Sequence, residues 1–345
     1  MGCVVGDIDN DGDQELYVTN FGPNILYRNN GDGTFTDVTS QAGVGNARWS
    51  ASVVFFDYDL DGFLNFCVLN YLDYTLEKNR IWRGRTGLPI CCGPSFYFAE
   101  MDMLYHNDGD GTFTDVTREM NVQRMTKGLG VICGDINEDG FPNMYIANDT
   151  RANFLYLNQS GKGFYEVGRM MGTAHNSSGL DEAGMGVNLG DYNRDGRFDI
   201  FVTNFSRETN TLYQNNGEDG FADVTKAANL GSTSWLSLGF GTKFLDADNN
   251  GFLDLFVTNG HINDLIEQTD EEVTYAQPDQ LFVNSGNGTF RDVSSYAGEY
   301  FQGEELGVAQ PLVTTIATAT LTYSSAITAN HLCCCGMMVE ITTIG

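Results

Sequence analysis

The stretch Gly6-Asp-Ile-Asp-Asn-Asp-Gly-Asp-Gln-Glu15-Leu-Tyr-Val-Thr-Asn20 decides the fold. Oxygen-bearing side chains fall at Asp7, Asp9, Asp11, Asp13 and Glu15, with Gly12 just after the third, and a strand-like run follows at once. The pattern returns four times. The copies carry Asp57, Asp59, Asp61 and Asn65; Asp135, Asn137, Asp139 and Asn143; Asp191, Asn193, Asp195 and Asp199; and Asp246, Asp248, Asn250 and Asp254. Count the first Asp as position one. Positions one, three and five of a tight turn converge on one point, and glycine at six permits the bend. Position seven offers a carbonyl and position nine returns a side chain. Ca²⁺ takes roughly six to eight oxygens of this kind, so each turn is expected to hold about one Ca²⁺.

Two other motifs share this pattern. An EF-hand begins the same way but needs a Glu at position twelve and helices on both sides. Position twelve here is Val18, Val68, Ile146, Val202 or Val257, and the flanks are β-type. A metal-free Asp/Asn/Gly turn explains one copy better than five in phase, because clustered carboxylates repel without a cation. By carboxylate count the first turn should bind most tightly and the third most weakly.

The turns recur at spacings of 50, 78, 56 and 55 residues. A second element keeps step with them. It reads Leu-Tyr, then a Gly/Asp/Asn turn, then Thr-Phe-Thr-Asp-Val, from Asn24 to Thr39 and again from Met103 to Thr117. Weaker copies begin at Asn153, Asn210 and Gln280. This is a β-hairpin signature. One strand into the metal turn, one out of it and two in the hairpin make a four-stranded unit. Such units at this period are propeller blades, so the expected fold is all-β, a β-propeller with a Ca²⁺ turn in each blade. Gly alternates with apolar residues before the turns, as in Gly128–Gly134, Gly184–Gly190 and Gly239–Phe244. Either small residues let inner strands crowd together or the glycines mark bulges.

The formal charge is −28. It sits mostly in the turns, so it argues for bound divalent cations and against nucleic acid, whose phosphates need the opposite sign. No apolar run approaches the ~18 residues that span a bilayer. Of the eight cysteines, Cys3, Cys67 and Cys133 lie in apolar strand runs and read as buried thiols; Cys91 and Cys92 share a loop. The pattern is not a disulfide framework. The four histidines are scattered, and no hydrolase or phosphate-cradling motif appears, so no catalytic residue is assigned. His261 reads as a structural histidine. Two insertions break the period: residues 71–100, and an acidic stretch at 261–279 with a possible short helix. Loops on a propeller face carry binding functions, which makes these the expected site for a protein or carbohydrate ligand. The alternative is a propeller enzyme or enzyme accessory domain acting on carbohydrate or a secondary metabolite. Asn-x-Ser/Thr sequons at Asn148, Asn158, Asn176, Asn204 and Asn287 matter only in a eukaryotic secretory route.

Particular stretches go further. Asn148–Leu155, Ala183–Val187, Thr203–Tyr213 and Asn259–Ile262 resemble the FG-GAP/VCBS repeat family, whose repeats also build integrin α-chain propellers. The resemblance is strongest to the branch carrying a C-terminal ASPIC/UnbV domain, the cartilage acidic protein-like branch, and covers about residues 1–307. It implies a seven-bladed propeller, extracellular or periplasmic, binding Ca²⁺ through the turn residues named above, and it carries over nothing catalytic. Relatives often hold a second cysteine before the position of Cys91; this chain has Asn79-Arg-Ile-Trp82 there, so no disulfide is carried over.

After Gly307 the repeat vanishes, and residues 308–345 end in Cys333-Cys-Cys-Gly-Met-Met338. Joining each codon's third base to the next two bases turns Cys333–Val339 into Leu, Leu, Arg or Trp, one of Asn, Asp, His or Tyr, then Asp and Gly, a set that contains Leu-Leu-Arg-Asn-Asp-Gly, the hairpin motif. The same shift makes Val313–Leu321 compatible with a sixth metal turn. The tail is therefore expected to be an out-of-frame sixth repeat, disordered as written. The chain also opens in mid-motif at Met1–Gly6, so the expectation is a piece of a longer ring.

Overall fold

The computed structural model describes residues 1–302 apart from 81, 84–86, 88 and 91. The expectations for the tail at 308–345 and for Cys91 lie outside the described residues.

Five four-stranded antiparallel sheets follow one another along the chain. The first comprises Cys3–Gly6, Glu15–Val18, Ile25–Asn29 and Phe35–Asp37. The second comprises Ser50–Phe56, Asn65–Asn70, Met103–Asn107 and Phe113–Asp115. The third comprises Gly128–Gly134, Asn143–Asn148, Phe154–Asn158 and Phe164–Glu166. The fourth comprises Val187–Gly190, Asp199–Val202, Thr211–Asn215 and Phe221–Asp223. The fifth comprises Gly239–Leu245, Asp254–Asn259, Gln280–Asn284 and Phe290–Asp292. In each, the metal turn joins strands one and two, and the Leu-Tyr hairpin supplies three and four. The strand-two segments of sheets two, three and five are buried along their whole length, hence their near-continuous apolar runs.

Neighbouring sheets pack face to face in chain order. Tyr17, Leu26, Phe66 and Tyr105 lie between the first and second. Cys67, Leu104, Met144 and Tyr156 lie between the second and third. Tyr145, Leu155, Ile200 and Tyr213 follow, then Phe201, Leu212, Leu255 and Phe282. Each fully buried side chain of this size contributes about 1.5–3 kcal/mol, so the seams, rather than one central core, hold the sheets together. First strands of consecutive sheets adjoin. These are propeller-like blades.

The inner-strand glycines serve both purposes foreseen. Register shifts occur between Gly128 and Gly130 and between Gly239 and Thr242. Close approach is the stronger constraint. A Cβ on Gly186 would lie 1.8 Å from the Phe240 carbonyl oxygen, and one on Gly130 would lie 2.2 Å from that of Met185. Backbone of the next sheet cannot yield as a side chain would. Gly186→Ala should therefore destabilise by about 3 kcal/mol or more, read as a lower urea midpoint, whereas Ala at the open Gly93 should cost little.

One expectation is corrected. Cys3 is exposed, not buried. With Val5 it points to the face of the first sheet turned away from the second, where no described sheet packs. Cys67 is buried and Cys133 partly so.

The insertions extend one end of the sheets. Residues 71–100 bury Leu72, Tyr74, Cys92 and Tyr97 against Trp49. The acidic insertion holds a single 3-10 turn, Ile266–Gln268.

Candidate metal turns

All five turns share one backbone. Position four is left-handed in each, at Asn10, Leu60, Glu138, Arg194 and Asn249, with φ between 58° and 62°. The glycine at six has φ between 85° and 94°. The Asp at position one pins this shape. N–H groups of positions five and six donate to its two oxygens in every copy, at 2.8–3.2 Å. The position-five side chain accepts from the N–H of position seven.

Position nine is fully buried throughout, as Glu15, Asn65, Asn143, Asp199 and Asp254. Where it is a carboxylate, its oxygens accept N–H groups from position two and from the Asn that ends strand three. Asp199 takes Tyr192 and Asn215, Asp254 takes Ala247 and Asn284, and Glu15 takes Ile8 and Asn29. Burial still dominates: it pushes the Asp199 carboxyl up to about 7 and raises Asp254 and Glu15 as well. Asp9 is raised by burial and then by the charges of Asp11 and Asp7. These carboxylates lack a compensating positive charge, which is the condition a bound cation relieves.

The turns differ in what they gather. Asp7, Asp9 and Glu15 place carboxylate oxygens within 4.8 Å of one another, and so do Asp246, Asp248 and Asp254. Asp9, Asp11 and Asp13 line a depression with Arg28, Asn29 and Asn30. In the second turn the gathered set is Asp59, Asp61 and His106, without Asp57. The third and fourth turns engage their own carboxylates in part. Asn137 donates to Asp139, Asn193 donates to Asp195, and Arg197 pairs with Asp195 at 2.6 Å. The Asn143 amide oxygen takes the N–H groups of Ile136 and Asn137, and its buried Nδ2 has no partner.

Two features escaped the sequence reading. His106 comes from strand three, so turn spacing does not reveal it. The other is the Asn closing each strand three, hidden in a run that reads as hairpin turn. Nδ2 of Asn107, Asn158, Asn215 and Asn284 donates to the position-two carbonyl of the preceding turn, at Ile8, Tyr58, Ile136 and Tyr192, with lengths of 2.8–3.0 Å. The same amide nitrogen also holds the position-eight carbonyl of its own turn. Successive turns are thereby stapled together.

Carboxylates away from the turns act as structural acceptors. Glu182 takes Asn176, Asn204 and Thr211, and Glu208 takes the Ala183 N–H. Asp149 takes the Tyr71 hydroxyl. Asp102, buried, takes Asn70 N–H and the Thr126 hydroxyl, and burial pushes its carboxyl up to about 7. Folded Asp102 thus holds its proton more tightly than unfolded Asp, near 3.9. Its contribution is complete below about pH 4 and is lost as pH rises through about 7. The equivalent residues of the first, third and fourth sheets, Asn24, Asn153 and Asn210, accept the same N–H without a charge, while the fifth sheet uses Asp279. Asp102→Asn should therefore stabilise by about 1–2 kcal/mol above pH 7 and by little near pH 4, read from urea midpoints against pH.

Among the described residues, no helix is long and apolar enough to cross a membrane. Cartilage acidic protein 1 of Xenopus tropicalis is 25% identical over 244 residues, covering 65% of this chain and 34% of that protein. The Mus musculus protein of that name is 27% identical over 224 residues, covering 60% and 31%. The chain spans about a third of the length of these relatives. Among solved structures, the rhamnogalacturonan lyase YesX aligns with 84% of this chain and 48% of its own, at 16% identity and a TM-score of 0.42. A lectin from Agrocybe aegerita aligns with 84% and 78%, at 15% identity and a TM-score of 0.35. The FG-GAP-like repeat matches residues 7–68, 135–202 and 191–257. Those spans take in more than half of the chain, each begins on the first Asp of a metal turn, and the chain belongs to the FG-GAP-like repeat family.

Proposed function

We propose that this chain is the Ca²⁺-binding part of a secreted, extracellular or periplasmic, seven-bladed propeller that serves as a binding module and performs no catalysis of its own. The observation carrying this is the oxygen set of the first and fifth turns: three carboxylates in mutual reach, over a fully buried ninth residue. Oxygen-only donors on a tight turn suit Ca²⁺. Asp7, Asp9 and Glu15 would hold one ion; Asp246, Asp248 and Asp254 would hold another. The ion would stiffen each turn, and the asparagine staples would pass that stiffness to the next sheet. Calorimetric titration of Ca²⁺ into chelator-treated protein should show binding that Asp254→Asn weakens. Heat identical to dilution would sink the reading.

The insertions support the partner face. Phe98 is 81% exposed and Phe96 43%, above the packed Tyr74 and Tyr97. The second insertion presents Asp270 and Glu272, both held by Arg207. Exposed aromatic residues on one insertion and acidic residues on the other suit a protein or carbohydrate ligand. Phe98→Ala should abolish capture of that ligand on glycan or protein arrays without changing the melting curve.

A further inference from the structure

We infer that the second turn selects a first-row transition ion over Ca²⁺ and that His106 sets this choice; the inference rests on the reading of the turns as metal sites. Three observations carry it. First, the Asp59, Asp61 and His106 ligand atoms lie within 4.8 Å of one another, with Nδ1 of His106 3.5 Å from Asp59 Oδ2. Imidazole nitrogen favours zinc-like ions, whereas Ca²⁺ takes oxygens.

Second, the second turn has withdrawn oxygen that the first and fifth supply. Position nine is Asn65. Its Oδ1 accepts the Asn107 N–H at 2.8 Å, and its Nδ2 donates to Asp59 Oδ1 at 3.1 Å. Position nine therefore presents a donor to the cluster where Glu15 and Asp254 present carboxylate. The set that is left, two carboxylates and one imidazole, is short of oxygens for Ca²⁺ and ample for a smaller ion.

Third, the repeats act as internal controls. The strand-three register position of His106 is Arg28, Leu157, Gln214 or Val283 in the other sheets. None offers a nitrogen ligand. The Tyr58 hydroxyl lies 3.2 Å from Nδ1 of His106, so an ion bound there would replace that contact.

The test is competitive calorimetry of ZnCl₂ and CaCl₂ on the full chain after chelation, with Co²⁺ absorption as a second readout. One Zn²⁺ site should resist displacement by excess Ca²⁺. His106→Gln should weaken that site by about tenfold or more and shift the Co²⁺ bands, leaving Ca²⁺ binding at the first and fifth turns unchanged. His106→Glu should convert the second turn to Ca²⁺ preference. Asp254→Asn should weaken Ca²⁺ and spare Zn²⁺. Unchanged Zn²⁺ affinity in His106→Gln would overturn the inference while the metal reading stood. No response to either ion in any variant would remove the metal reading itself.

Discussion

Chelation is expected to lower the melting temperature by on the order of 10 °C, and Ca²⁺ in excess should restore it. The magnitude follows from linkage. An ion that binds only the folded chain contributes RT ln(1 + [L]/Kd), about 2.7 kcal/mol per site at a hundredfold excess. The first and fifth turns alone would contribute about 5 kcal/mol, and in a chain this long each kcal/mol moves the transition by about 2 °C. The apo turns should feel the loss strongly. Glu15 and Asp254 are fully buried, and without a cation their charge is opposed only by backbone N–H groups. Asp254→Asn should remove part of the Ca²⁺ shift, and Asp135→Asn should remove less, because the third turn offers fewer carboxylates and Asp139 already accepts a hydrogen bond from Asn137. Differential scanning calorimetry in EDTA and in CaCl₂ measures this. Superimposed curves would show that the turns are Asp/Gly bends without a metal role.

The expected shape of the turns was legible because two constraints show directly in residue type. Position-one Asp accepts from positions five and six, and position-six Gly takes positive φ. The four-stranded unit was equally legible, since the hairpin motif repeats in phase with the turns. What stayed hidden depends on contacts between repeats. Asn107, Asn158, Asn215 and Asn284 read as hairpin residues, and only packing of consecutive sheets shows that each reaches the preceding turn. His106 was passed over because its partners lie 45 and 47 residues upstream, at Asp61 and Asp59. Left-handed φ at Leu60, Glu138 and Arg194 carries no signal, because those residue types do not favour it. Cys3 was misread because its strand pattern matches the buried ones, while burial depends on which face meets another sheet.

Asn215→Ala should cost about 3 kcal/mol, more than its small size suggests. The side chain donates Nδ2 to Ile136 O at 3.0 Å and to Phe198 O at 3.1 Å, and it accepts the Gly217 N–H at 2.9 Å. Asn215 is 2% exposed, so water cannot readily replace the amide. Each buried group left unpaired costs about 1–3 kcal/mol. Asn215→Asp should be no better, since a carboxylate would face two carbonyl oxygens. The first sheet supplies the control. Asn29 makes the corresponding bonds within its own repeat, to Gln14 O at 3.3 Å and from Gly31 N at 3.1 Å, but it is less buried and has no described turn before it to staple. Asn29→Ala should therefore cost about 1 kcal/mol, typical of hydrogen bonds near a surface. The difference between the two, measured from urea midpoints at constant m-value, is the contribution of the inter-sheet staple. Equal losses would show that the asparagine shapes only its own hairpin. A larger loss at Asn215 would show that one turn is anchored by the next, so that an ion held in either is felt in both.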